Sequence, residues 1–172
     1  MVATEKPFAA AAVNGIREIV EAAGHELALL EKYTEKEQLL EAVADADALI
    51  VRSDKVTAEV VAAAKQLKIV VRAGAGYDNL DLPSCTERGI VAMNTPGQNS
   101  NAVAELALGL MIYMCRNQFT PGTGSEISGK TMGIQGFGNI GQLVAKKARG
   151  LGMKVRVLAP DPSEKHQGWE TV

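Results

Sequence analysis

The sequence predicts an α/β protein with two domains: a flavodoxin-like parallel-sheet domain over residues 1–98, then a linking helix and an incomplete strand–helix–strand unit over residues 99–172. Short apolar runs such as ALIV and KIVV alternate with amphipathic stretches, which indicates a parallel sheet covered on both faces. The stretch NQFTPGTGSEISGK is rich in Gly, Ser, Thr and Pro and is typical of a connector before a second series of elements.

Composition narrows the class of protein. The 172 residues are 47% hydrophobic and 22% charged, with a net charge of -2, so nothing favours a nucleic-acid partner. The longest apolar run, at 102–115, falls short of the roughly 20 residues that span a bilayer, and it contains Glu105. MVATEKPF is charged where a signal peptide would be apolar, and Cys85 and Cys115 form no disulfide framework. We therefore expect a cytoplasmic protein with no membrane partner.

Local signals predict each element of the first domain. Pro7 opens a helix that Gly24 ends, and Thr57 is placed to cap a helix over TAEVVAAAKQL. Another helix is expected over EKEQLLEAVADA. The five strands are expected at VAT, the centre of ELALLEKY, ALIV, KIVV and IVAMN. VAT is short for such a strand, so we expect the N-terminus to be clipped.

A long helix, started by Asn99 or Ser100 and ending near residue 117, opens the second unit. It is apolar nearly all round, which predicts packing on more than one side, and Glu105 inside it is expected to make a structural hydrogen bond. The strand TMGIQ, a helix over NIGQLVAKKARGLGM and the strand KVRVLAP follow. The predicted buried stripe of that helix consists of Ile140, Leu143, Val144, Ala148 and Leu151.

The stretch GFGNIG, at 136–141, has the glycine pattern of a Rossmann dinucleotide site. Gly136 permits a tight turn out of the strand, Gly138 lets a pyrophosphate approach the backbone, and Gly141 allows close packing of helix on strand. A strand precedes the glycines, and a helix, a second strand and Asp161 follow, as the fingerprint requires. A packing turn without ligand stays an alternative for the glycines, and a turn-forming role stays one for Asp161.

A second glycine turn, RAGAGYDN, follows an apolar strand, where ligands of open parallel sheets bind. The backbone N–H groups of Gly74, Ala75 and Gly76 could form an anion-binding nest. Arg52 and Ser53 end the preceding strand, so they are expected at the same edge, where an arginine can pair with a phosphate or carboxylate. A purely structural loop, and an exposed arginine without ligand, remain open readings.

No residue is assigned a catalytic role. The chain has two histidines, His25 and His166, and neither lies near the glycine turns in the predicted topology. Hydride transfer from a hydroxy acid needs an acid–base beside the oxidised carbon. No metal-ligand spacing, Ser-His-Asp set or carboxylate pair is evident either.

Four ordered motifs, at 51–53, 71–79, 91–111 and 129–141, together resemble the D-isomer-specific 2-hydroxyacid dehydrogenases. The resemblance runs nearly end to end and implies an enzyme with NAD as cofactor. The Arg-Ser pair and MNTPGQNS favour a phosphorylated substrate over formate, lactate or glyoxylate. The implied reaction is oxidation of D-3-phosphoglycerate to 3-phosphohydroxypyruvate, which feeds serine biosynthesis.

The resemblance also assigns roles to residues. Arg52 and Ser53 would hold the anionic end of the substrate, and the backbone at Gly74, Ala75 and Gly76 would bind its carboxylate. The implied cofactor contacts lie near nicotinamide, pyrophosphate and adenosine ribose, and comprise Ala75, Gly136, Gly138, Asn139, Ile140, Gly141 and Asp161. In the family the acidic ribose ligand lies in a Tyr-Asp-Pro context, whereas Asp161 lies between two prolines.

The family keeps its catalytic arginine, glutamate and histidine well downstream of the glycine fingerprint, and nothing in this sequence matches them. We therefore expect an N-terminal piece that is inactive alone. The resemblance further implies a homodimer formed through the nucleotide unit and the long helix. Two alternatives stay open: a non-catalytic binding or dimerisation module of the same fold, and a dehydrogenase for another D-2-hydroxy acid.

Overall fold

The computed structural model describes residues 1–158 and 170–171, so Asp161 and His166 lie outside the described residues. The chain divides into two compact units, Met1–Pro96 and Gly97–Val172. Among the described residues, none of the helices combines the length and apolar character needed to cross a bilayer.

The first unit is built on a five-stranded parallel sheet in the order β2-β1-β3-β4-β5. The strands are β1 Val2–Thr4, β2 Leu29–Glu31, β3 Ala48–Val51, β4 Ile69–Arg72 and β5 Val91–Asn94. The chain leaves β1 to one side for β2 and returns on the other side for β3, as in doubly wound sheets. The predicted parallel α/β architecture is therefore confirmed.

Four helices connect these strands: α1 Ala10–Ala22, α2 Lys36–Ala42, α3 Ala58–Ala63 and α4 Leu82–Glu87. The Thr57 side chain caps α3 by accepting from the Val60 N–H, as expected. The helix α4 was not predicted, although Asp81 caps it and Pro83 lies in its first turn. The core of the unit is largely aliphatic and centres on Leu49, Val51, Val60, Val61 and Val70, each at most 1% exposed.

The register of the sheet aligns the ends of three strands. Val51 pairs with Arg72, and Arg72 pairs with Asn94, so these three residues form one row across β3, β4 and β5. Each of them is the last residue of its strand. The loops that follow therefore leave the sheet at the same level of its carboxyl edge.

The second unit contains α5 Ser100–Cys115, β6 Thr131–Gln135, α6 Asn139–Gly150, β7 Lys154–Leu158 and β8 Glu170–Thr171. The three strands form a parallel sheet in the order β6-β7-β8. Its core combines residues of α5, the glycine loop, α6, β7 and the turn between α6 and β7, namely Leu108, Phe137, Ala145, Ala148, Met153, Val155 and Val157.

Two expectations about helix faces were wrong. The buried residues of α6 are Val144, Ala145 and Ala148, whereas Ile140 and Leu151 are each 41% exposed. These two residues lie at the ends of the predicted stripe, since Ile140 is the second residue of α6 and Leu151 is its C-cap residue. The helix α5 buries Ala104 and Leu108 but leaves other apolar side chains exposed, so it is not buried all round.

Candidate functional site

The glycine loop of the second unit connects β6 to α6. Gly136 directly follows β6 with a φ of 88°, a left-handed conformation that favours glycine, and its N–H donates to the Leu158 carbonyl at 2.8 Å. Phe137 points into the core and is 6% exposed. Gly138 is the N-cap residue of α6, and no side chain caps the helix there. The first N–H groups of α6 are therefore left for a ligand.

Gly138 and Gly141 differ in what a side chain at each position would meet. A Cβ on Gly141 would lie 2.3 Å from the Gly136 carbonyl oxygen, so the protein's own packing demands glycine there. A Cβ on Gly138 would meet nothing within 4 Å. The chain itself therefore gives no steric reason for glycine at 138, and the open side of this residue faces where a ligand can approach the backbone.

These residues fit the pyrophosphate of NAD, the cofactor that the resemblance implies. Gly97, with a φ of 79°, lies beside the Asn139 side chain, since a Cβ on it would be 3.3 Å from Asn139 Nδ2. A cavity of about 500 Å³ adjoins the first turns of α5 and α6 and is lined by Gly97, Ser100, Asn139, Gln142, Leu143 and Lys146. Two helix N-termini and a lysine suit an anionic group. The predicted ribose ligand, Asp161, lies outside the described residues.

Arg72 lies at the carboxyl edge of the first sheet, as the last residue of β4, and the sequence analysis gave it no role. Its Nε donates to the Arg52 carbonyl at 2.9 Å, and its guanidinium lies over Gly74. A Cβ on Gly74 would be 1.5 Å from Arg72 Nη1, so the glycine makes room for the guanidinium. The signal was present in the sequence, because Arg72 ends β4 immediately before the AGAG turn.

Hydrogen bonds to the carbonyl groups of Gly74 and Ala75 hold the turn after β4 in place. The Thr95 N–H donates to the Gly74 carbonyl at 2.9 Å, and Asn94 Nδ2 donates to the Ala75 carbonyl at 2.7 Å. The Gly74 N–H already donates to the Arg72 carbonyl at 2.9 Å, so it does not belong to the predicted nest. Among the described residues, none accepts from the N–H groups of Ala75 and Gly76, which are left for an anion.

Arg52 and Ser53 are exposed in the loop that follows β3, at the same edge. Below them Asp54 is 5% exposed, and its Oδ1 accepts from the Tyr33 hydroxyl at 2.7 Å. Burial, followed by this hydrogen bond, raises the pKa of the Tyr33 phenol well above its usual value, so the hydroxyl remains a donor at neutral pH. The edge thus combines exposed cationic side chains with a buried polar support.

Among the described residues, no histidine lies at the carboxyl edge of the first sheet. His25 is exposed and lies between α1 and β2, at the amino edge of the sheet, as expected. No group of three or more His, Cys, Asp or Glu side chains among the described residues could hold a metal ion. What the described edge can do chemically is bind and orient an anion.

Glu105 has the structural role that the sequence predicted. Its Oε1 accepts from Asn101 Nδ2 at 2.7 Å on the same helix and from Lys147 Nζ at 3.1 Å on α6. The hydrogen bonds from Lys147 and Asn101 hold the pKa of the Glu105 carboxyl below its usual value. This pair links α5 to the helix whose N-terminus carries the glycine loop.

The geometry agrees with a family assignment. The family model for the D-isomer specific 2-hydroxyacid dehydrogenase catalytic domain matches residues 7–158. The chain belongs to this family. Membership covers both units, since the match runs from Pro7, three residues before α1, through Leu158, the last residue of β7.

Relatives and solved structures of the family include several close matches. A hydroxypyruvate reductase of Thermotoga maritima is 43% identical over 154 residues, which is 81% of this chain and 49% of the relative. A D-3-phosphoglycerate dehydrogenase of Methanocaldococcus jannaschii is 45% identical over 134 residues, or 70% of this chain and 26% of the relative. The crystal structure of NAD⁺-bound 3-phosphoglycerate dehydrogenase from Entamoeba histolytica has 51% identity and a TM-score of 0.89.

The chain covers only part of these family members. The Entamoeba histolytica match includes 99% of this chain but 56% of that enzyme. The chain thus spans at most about half the length of the two curated relatives above. The names of these relatives also differ in substrate, since hydroxypyruvate carries no phosphate.

Alanine substitutions at Gly138 and Gly141 test whether the two glycines differ in their effect on stability. We expect Gly141→Ala to lower the free energy of unfolding by about 1–3 kcal/mol, because its Cβ would overlap the Gly136 carbonyl. The matched variant Gly138→Ala adds the same methyl group to open space and is expected to change it by less than about 0.5 kcal/mol. Urea denaturation followed by circular dichroism measures both. Equal destabilisation would contradict the different origins assigned to these glycines.

Proposed function

We propose that the chain carries the substrate-binding edge and the pyrophosphate loop of an NAD-dependent dehydrogenase that oxidises D-3-phosphoglycerate to 3-phosphohydroxypyruvate. The observation that carries this proposal is the cationic carboxyl edge: the Arg72 guanidinium lies over Gly74, beside the N–H groups of Ala75 and Gly76 and close to the backbone of Arg52. A substrate with both a carboxylate and a phosphate suits two arginines and two free N–H groups.

Each part of the site has a role in this reaction. The N–H groups of Ala75 and Gly76 bind the carboxylate, and Arg52, with Ser53 beside it, binds the phosphate. When bound, NAD would supply the nicotinamide that accepts a hydride from C2. Asn139 and Ile140, in the first turn of α6, would hold its pyrophosphate through their backbone next to Gly138. By the family resemblance, Ala75 would lie near the nicotinamide, and Asp161, which lies outside the described residues, would bind the adenosine ribose.

We propose a phosphorylated substrate because two arginines, Arg52 and Arg72, lie at this edge. The Thermotoga maritima relative is named for an unphosphorylated 2-oxo acid, whereas the 51% identical Entamoeba histolytica enzyme is named for a phosphorylated hydroxy acid. Arg52 is exposed at the edge, and Arg72 is anchored through Nε with its Nη groups turned to the glycine turn. A dianionic phosphate matches a guanidinium better than an uncharged hydroxymethyl group does.

Binding of NAD tests the cofactor half of the proposal. The wild-type chain is expected to bind NAD, and Gly138→Ala to weaken that binding by about tenfold or more, because the methyl group enters the space where the pyrophosphate approaches. Gly133→Ala is the matched control, since a Cβ there also meets nothing within 4 Å but lies within β6. Isothermal titration calorimetry measures both. Equal affinity of the two variants would contradict a pyrophosphate at Gly138.

Substrate choice is tested at Arg52. We expect Arg52→Leu to weaken binding of D-3-phosphoglycerate by about tenfold, the loss of one charged hydrogen bond, and to change binding of D-glycerate by less than about twofold. Arg17→Leu serves as the control, because Arg17 is an exposed arginine on α1 that pairs with Glu21. Equal losses for the two ligands on Arg52→Leu would argue for another D-2-hydroxy acid.

A second candidate function, a dimerisation module, is favoured by one observation. The helix α5 exposes a stripe of large apolar side chains at helical spacing, Leu106, Leu110, Tyr113 and Met114, which are between 37% and 63% exposed. A second copy of the chain is the occupant that the family resemblance implies. We include a homodimer in the proposal on this basis.

The free thiols of Cys85 and Cys115 support a reducing, cytoplasmic location.

Sedimentation velocity tests the dimer. The wild-type chain is expected to sediment as a dimer at micromolar concentration, and Leu110→Glu to sediment as a monomer, because a charge in an apolar interface is not compensated. Ile19→Glu is the control, since Ile19 is 73% exposed on α1 of the first unit. A monomeric wild type would contradict the homodimer. Dimers that bind no NAD would instead favour the module over the enzyme.

A further inference from the structure

A buried carboxylate connects three strand ends beneath the cationic edge. Asp54 lies three residues beyond the last residue of β3, and its Oδ1 accepts from the Tyr33 hydroxyl at 2.7 Å and from the Glu5 N–H at 2.8 Å. Glu5 directly follows β1, and Tyr33 lies just beyond β2. The single oxygen therefore holds together the segments that leave β1, β2 and β3, at the point where the order of the strands reverses.

The same residue is also tied to the glycine turn after β4. Asn79 Nδ2 donates to the Asp54 carbonyl at 2.8 Å. The Val56 N–H donates to the Asn79 carbonyl at 2.9 Å, so the segment after Asp54 runs along the end of RAGAGYDN. These bonds fix the far end of the turn whose near end is held by Asn94 and Thr95.

Asp54 is connected to Arg52 through the chain and to Arg72 through a hydrogen bond of the Arg52 carbonyl. Arg52 and Ser53 immediately precede Asp54, so the backbone of Arg52 is held between β3 and this anchor. The Arg52 carbonyl in turn accepts from Arg72 Nε at 2.9 Å. A displacement of Asp54 therefore moves the oxygen that orients Arg72, and with it the guanidinium that lies over Gly74.

Burial of Asp54 is costly for folding alone. The residue is 5% exposed, and its second oxygen, Oδ2, is buried without a hydrogen-bond partner among the described residues. Asn79 Oδ1 is in the same situation. A buried carboxylate with an unpartnered oxygen costs stability, whereas its hydrogen bonds are stronger and shorter than those of a neutral acceptor. The burial of Asp54 therefore points to a role other than stability of the fold.

We propose that Asp54 is a positioning residue of the anion site: through Tyr33, Glu5 and Asn79 it sets where the guanidinium groups of Arg52 and Arg72 meet a phosphorylated hydroxy acid. The inference rests on the proposed function for the identity of the ligand. It does not rest on that function for the placement of the Arg52 backbone and the Arg72 side chain, which the hydrogen bonds themselves describe.

The test uses the wild-type chain and three variants: Asp54→Ala, Asp54→Asn and Tyr33→Phe. Thr86→Val is the control, because it removes a hydroxyl that donates to the Leu82 carbonyl at 2.9 Å within α4 of the same unit and takes no part in the bonds around Asp54. Nuclear magnetic resonance of arginine Nε–H groups reports the Arg72–Arg52 hydrogen bond without any ligand. Calorimetry reports the affinity for D-3-phosphoglycerate and D-glycerate, and thermal denaturation separates loss of stability from loss of placement.

We expect Tyr33→Phe and Asp54→Ala to shift or broaden the Arg72 Nε–H signal and to weaken D-3-phosphoglycerate binding by about tenfold, since small displacements of positioned groups carry large penalties. Asp54→Asn, which keeps an oxygen for Tyr33 and Glu5, is expected to recover most of the wild-type affinity. The Thr86→Val control should match wild type in both measurements.

Folded variants with a lowered melting temperature but an unchanged Arg72 signal and unchanged affinity would show that Asp54 only stabilises the unit, and would overturn the proposal. If Asp54→Ala does not fold, Tyr33→Phe alone decides in the same way. A wild-type chain that binds neither ligand would contradict the proposed function, while the Arg72 signal would still decide whether Asp54 places the guanidinium.

Discussion

The parallel register of the first sheet is the constraint on which the candidate site depends. Because β3, β4 and β5 run in one direction and pair in register, Val51, Arg72 and Asn94 end their strands in a single row. Everything polar at the edge then follows: the exposed loop after Val51, the glycine turn after Arg72 and the amide of Asn94 that holds that turn. A slip of one residue in any pair would turn these side chains to the opposite face.

The two proposed anion sites present backbone N–H groups in different ways. In the first unit a short turn presents two N–H groups beside a guanidinium, and its carbonyls are occupied by neighbouring donors. In the second unit the N-terminus of α6 presents its N–H groups after a glycine turn, and the helix dipole adds to them. The first arrangement needs side chains to hold it in place, such as Asp54 and Asn79, whereas the second is held by the helix itself.

The fold followed from the sequence because continuous apolar strands and helix caps are local signals. The helix α4 was missed because six residues give no periodicity, although Asp81 and Pro83 marked its start. At the candidate site, the sequence predicted features that backbone position decides, such as Gly138 at the start of α6. It was not predicted where side-chain direction decides, as for Arg72, or where residues distant in sequence meet, as for Tyr33 and Asp54. Local patterns do not encode those pairings.

The guanidinium of Arg72 fills the space where a side chain on Gly74 would begin. The two positions are therefore sterically coupled, and each restricts what the other can become. A lineage that replaced the glycine by any larger residue would have to move the guanidinium, and one that shortened the arginine would free the glycine to vary. Arg72 and Gly74 should thus change together during divergence.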